Sequence, residues 1–274
     1  WPPRCAGTAS SGGTIFRPLQ ITVGTTIATS IQNNTIQNIS VTSTSTSTAQ
    51  AAISLLTGNI NCGNITGNTI GSQSATGSIV FGISGTGAIV SGILAGTGTP
   101  GAFNISNNTI GGISLIVNGA PATAPNLRGI SFQGTAAGHT YVVSNNTIGS
   151  PSTANSLQTD VNGGIIGIFS GSNSLGQQIT NNTVANLRSN GTGTTGTVIG
   201  IQAQGATGGT YTITGNTVRD ISSTNGATGT GGTASILGVN HIASAATSGS
   251  NLIQQNTVHS LANVNATAAT SVTG

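Results

Sequence analysis

Residues 179–187 read ITNNTVANL, and variants of this phrase return six more times: IQNNTIQNI at 31–39, ITGNTIGSQ at 65–73, ISNNTIGGI at 105–113, VSNNTIGSP at 143–151, ITGNTVRDI at 213–221 and IQQNTVHSL at 253–261. The Asn before each Thr falls at Asn34, Asn68, Asn108, Asn146, Asn182, Asn216 and Asn256, at intervals of 34, 40, 38, 36, 34 and 40 residues. A phrase that persists while its spacing varies is under a fixed geometric demand, with the extra residues in loops. That is the sequence signature of a solenoid.

Upstream of six phrases lies a second short apolar segment with its own recurring Gly: ISLL from Ile53, SGIL from Ser91, RGISF from Arg128, GIIGIF from Gly164, VIGIQ from Val198 and ILGVN from Ile236. Each coil therefore offers three short strands. Their expected inward columns are Leu55, Ile93, Ile130, Ile168, Ile201 and Val239; then Ile31, Ile65, Ile105, Val143, Ile179, Ile213 and Ile253; then Ile36, Ile70, Ile110, Ile148, Val184, Val218 and Val258. Strands this short cannot bury a face alone, but stacked coils form parallel sheets about 4.8 Å apart around an aliphatic interior. The spacing predicts an all-β parallel β-helix of about seven coils over residues 19–274, with residues 1–18 as an N-terminal cap or junction arm. The repeated Asn is expected to hold a left-handed corner and to bond the equivalent Asn one coil away. The stretches 41–48, 189–197 and 222–234 read as protruding loops, and residues 79–83 as a local hairpin on the outside of the rod.

Only 3% of the 274 residues are charged, against roughly 25% in ordinary domains. Arg4, Arg17, Arg128, Arg188 and Arg219 are set against Asp160 and Asp220, giving a net charge of +3. Five scattered arginines without interleaved aromatics exclude a phosphate-tracking nucleic-acid surface. No apolar run approaches the roughly 20 residues of a membrane helix. The chain begins Trp1-Pro2-Pro3, as expected of a processed product or a fragment. Cys5 and Cys62 lack metal-ligand spacing and read as one disulfide, the alternative being two buried free thiols.

The pairing of a GI strand with an IxNNTI strand and corner resembles the right-handed parallel β-helix repeats of the pectin-lyase-like superfamily and of related secreted bacterial surface proteins, over residues 15–274. The resemblance implies a right-handed coil and an extracellular or cell-surface setting. Its functional range covers polysaccharide lyases and hydrolases, tailspikes, adhesins and passive stalks. The enzymes it resembles use clustered acids, whereas Asp160 and Asp220 are expected two coils apart. His139, His241 and His259 are scattered, so neither a metal nor a cofactor is expected. Two GxGxxG matches, at Gly96-Gly98-Gly101 and Gly191-Gly193-Gly196, open no helix and read as loops. The sequons at Asn190 and Asn265 are the candidate glycosylation points outside the corner phrase. Phe103, Tyr141 and Tyr211 are expected in the core. Thr35, Thr69, Thr109, Thr147, Thr183, Thr217 and Thr257 form an outward column, but the position two residues later supplies no matching second column. The expectation is a non-enzymatic, secreted structural protein, a subunit of a filament, sheath or surface layer built head to tail from copies of itself. The alternative is an adhesin or stalk that binds extracellular glycans. A degenerate polysaccharide lyase or hydrolase and an ice-binding solenoid rank below both.

Overall fold

A computed structural model of the chain describes residues 5–8, 15–47, 50–119, 123–134, 138–160, 163–171, 176–191, 193, 196–204, 209–226, 234–242, 250–265 and 272–273. Among them there are strands and no helix, and every strand pairing is parallel, in three sheets of eight, seven and thirteen strands. The architecture is a parallel β-solenoid of about six turns. The seven phrases mark rungs, and seven rungs enclose six intervals, which is why counting phrases gives one turn too many.

The first wall runs Leu19–Thr22, Gln50–Thr57, Ile89–Ala95, Asn126–Phe132, Ile165–Ser170, Val198–Gln204, Ile236–Ile242 and Val272–Thr273. The second runs Thr29–Ile31, Ile60–Cys62, Ala102–Ser106, Thr140–Ser144, Gly176–Thr180, Thr210–Thr214 and Asn251–Gln254. The third begins just past each Asn, for example at Thr109–Gly111, and is bent. After the bend it continues as a further column that includes Ile39–Ser43, Ile79–Ile83, Ile113–Val117, Leu157–Thr159 and Leu187–Ser189. In the last two rungs the two columns merge into Thr217–Ser223 and Thr257–Asn263. Most turns thus hold four strand segments, one more than the sequence suggests.

Residues 79–83 are accordingly not an outer hairpin. They pair with Ile39–Ser43 on one side and Ile113–Val117 on the other, and Ile79, Phe81 and Ile83 are fully buried. Likewise the start of 41–48 is wall and not loop, with Val41, Ser43 and Ser45 buried. The far part of the 222–234 excursion, and most of the 1–18 segment expected to act as a cap, lie outside the described residues.

The registers correct two inward columns. In the first wall Ile93 pairs with Ile53, while Leu55 lies opposite Ala95. In the second wall both Ile31 and Ile105 pair with Cys62, not with Ile65. Three residues separate Ile105 from Asn108, but six separate Cys62 from Asn68. The extra residues bulge outward and leave Ile65 80% exposed, while Cys62 fills the core position. The expected Cys5 to Cys62 bridge is therefore absent: Cys62 is a free, fully buried thiol. The backbone of Cys5 pairs with Ile39 on the third wall, a different sheet from Cys62.

The recurring Gly of the first wall has a steric reason. A Cβ at Gly167 would lie 2.4 Å from Val184 Cγ1 across the core and 2.6 Å from the Gly200 carbonyl oxygen. The first and third walls approach too closely there for a side chain.

Candidate functional site

The repeated Asn residues form one continuous ladder. The Asn34 backbone N–H and Nδ2 both donate to Asn68 Oδ1, at 3.0 and 2.8 Å. The same pair of bonds joins Asn68 to Asn108, Asn108 to Asn146, Asn146 to Asn182, Asn182 to Asn216 and Asn216 to Asn256. The remaining Nδ2 hydrogen reaches back to a second-wall carbonyl one rung earlier, as Asn182 does to Val143 at 2.9 Å. A buried amide with both its donors and its acceptor used costs little, whereas one left unpaired costs about 1–3 kcal/mol. The left-handed corner itself falls one residue earlier than expected, at Asn33, Asn107, Asn145 and Asn181, with φ of 53°, 59°, 57° and 57°. One Asn bends the chain and the next bonds the neighbouring rung.

Asp160 and Asp220 do not meet. Asp160 follows Leu157–Thr159, and Asp220 lies two rungs on, at the bend of Thr217–Ser223, where its carboxylate pairs with Arg219. Asp160 Oδ1 accepts from the Val117 N–H at 3.1 Å. Neither arrangement supplies the carboxylate pair, roughly 5–9.5 Å apart, that glycoside hydrolysis uses.

Stacking does place His259 beside Arg219 on the adjacent rung, an adjacency invisible in the sequence. His259 Nδ1 lies 3.0 Å from Ser260 Oγ, but Asp220 is engaged with Arg219. With no carboxylate orienting the imidazole, the trio lacks the geometry of an activated nucleophile. No group of three His, Cys, Asp or Glu side chains that could hold a metal occurs among the described residues.

Three other titratable groups, His139, Cys62 and Arg128, sit in packed surroundings. His139 is fully buried against Tyr141 and Phe103, and its Nδ1 accepts from the Gly101 N–H at 3.3 Å. Burial lowers its pKa. Burial raises the Cys62 thiol to about 12. The Arg128 guanidinium sits 3.5 Å above the Phe169 ring and donates to Ser131 Oγ, and burial lowers its pKa to about 10. Phe103, Tyr141 and Tyr211 are buried, as their alternation predicts.

Two surface features escape the sequence reading. One is a second hydroxyl column, Ser106, Ser144, Thr180 and Thr214, in register on the second wall. It lies three residues before each Thr of the first column, across the corner, and not two residues after it. The other is a recess of about 280 Å³ on the outer face of the third wall, lined by Val80, Ser114, Leu115, Ile116, Gln158, Asp160 and Asn190. Its residues come from four rungs, so no sequence motif joins them.

The fold and this surface define a parallel β-solenoid with an internal Asn ladder and very few charges. Comparison with known protein families, with characterised proteins and with solved structures finds no match. No helix among the described residues is long and apolar enough to cross a membrane.

Proposed function

We propose that this chain is a non-enzymatic structural protein whose solenoid stacks head to tail on further copies, building an extracellular filament, sheath or surface layer. The observation that carries this reading is the uniform polarity of the Asn ladder across the described rungs. At every rung the earlier Asn donates and the later one accepts. Asn34 thus presents an acceptor at one end and Asn256 presents donors at the other, so a head-to-tail neighbour extends the ladder without reversing it. The apolar interior is least covered at the last described second-wall strand, Asn251–Gln254. Ile253 is 47% exposed where Ile213, one rung earlier, is 1% exposed. Unpaired strand edges above an exposed core are templates for another chain. A heterologous contact of this kind propagates when it does not close into a ring. With 3% charged residues, little repulsion opposes it.

The test is light scattering and negative-stain microscopy of the purified chain beside Val258→Lys, which places a charge on the last described rung of the third wall. Concentration-dependent rods in the wild type and their loss in the variant are the expected result. A wild type that stays monomeric at high concentration overturns the reading.

A further inference from the structure

The recess on the third wall has features that stacking alone does not require. Two outward columns border it. Val80, Ser114 and Gln158 are register partners along one, and Ile116, Asp160 and Asn190 follow along the next. Val80 and Ile116 supply an apolar floor, with Ile116 38% exposed.

The polar groups around that floor are only partly used. Gln158 Nε2 donates to Ser114 Oγ at 3.0 Å, which leaves its carbonyl oxygen as an acceptor. Asp160 spends one oxygen on the Val117 N–H and has no salt-bridge partner among the described residues, although Arg188 lies on the next rung. Arg188 Nε instead donates to Asn190 Oδ1, fixing the amide with its NH2 as the remaining donor. Two acceptors and one donor therefore converge beside an exposed aliphatic surface. Asp160 is one of only two acids in the chain.

We propose that this recess binds a single neutral sugar ring of a glycan. Sugar hydroxyls donate and accept, matching the Gln158 and Asp160 oxygens and the Asn190 amide, and the C–H face of the ring covers Val80 and Ile116. The volume falls just below the range of drug-sized ligand sites, which suits one ring. The carboxylate on the wall disfavours uronates and other anions. Phe103, Tyr141 and Tyr211 point into the core, so no aromatic ring is available for stacking from them and the affinity is millimolar. This inference goes beyond the filament reading and stands independently of it.

The experiment is amide chemical-shift titration of the whole chain with glucose, galactose, mannose and N-acetylglucosamine separately. Galacturonate and glycine serve as the anionic and zwitterionic probes. Saturable shifts at Ser114, Ile116, Gln158, Asp160 and Asn190 with at least one neutral sugar are expected, weakened roughly tenfold, about 1.4 kcal/mol, by Asp160→Asn. Asp220→Asn, in the folded control, should leave them unchanged. Shifts with glycine or galacturonate alone would overturn the sugar assignment. No saturable shift at these amides, or shifts indifferent to both Asp160→Asn and Asn190→Ala, would overturn the site itself.

Discussion

Ile179 and Ile253 occupy the same inward position on the second wall, two rungs apart, yet one is 1% exposed and the other 47%. The residue, the strand and the phrase around it are alike. What differs is that Ile179 has a rung on either side, whereas Ile253 has one described rung beneath it. In a solenoid, burial is supplied by the neighbouring repeat, so identical residues differ in energetic weight according to their place in the stack.

The sharpest way to test this contrast is truncation. Ile179→Ala should lower unfolding free energy by about 2–5 kcal/mol, as for other large-to-small core changes. Ile253→Ala in the dispersed chain should cost about 1 kcal/mol or less, because much of its apolar area is already wet. Equal losses in denaturant titrations would break the comparison.

The ladder gives a second contrast. Asn182→Ala removes the acceptor of Asn146 N–H and Nδ2 inside the wall, and about 1–3 kcal/mol should be lost for the orphaned buried donors. Asn34→Ala, at the first rung, removes donors only and should cost less. Thr183→Ala, on the outer face, should stay within about 0.5 kcal/mol.

Thiol reactivity reads the same column through accessibility. Cys62, with its pKa near 12, should resist alkylation at pH 8 until the chain is denatured. In a Cys62→Ala background, Ile253→Cys should react readily in dilute solution and become protected as rods form. Protection without rods would argue that something other than a second copy covers that end.

The smallest effect is that of pH. His139 is buried neutral with a lowered pKa, so the unfolded chain takes up a proton at a higher pH than the folded one does. Its contribution is fully present above the unfolded value near 6.5 and is lost as pH falls below it. Thermal melts should therefore decline modestly from pH 7 to 5, and His139→Gln should flatten the curve. A decline unchanged in that variant would assign it to another group.

Much of this molecule was written in its sequence. The seven Asn-Thr phrases, the aliphatic columns that flank them and the recurring Gly dictate stacked parallel rungs, because the same phrase can be satisfied only by the same phrase one turn away. The corner Asn ladder follows from the same repetition. Tertiary structure alone decided how the irregular turns accommodate their extra residues: Ile65 is expelled, Cys62 takes its place in the core, and residues 79–83 join the third wall. The physical reason is that a register is set by neighbouring rungs and not by counting along the chain. The recess of Val80, Ile116, Gln158, Asp160 and Asn190 and the second hydroxyl column were hidden for the same reason. Their members on different rungs are tens of residues apart in sequence, and parallel stacking sets successive rungs only about 4.8 Å apart.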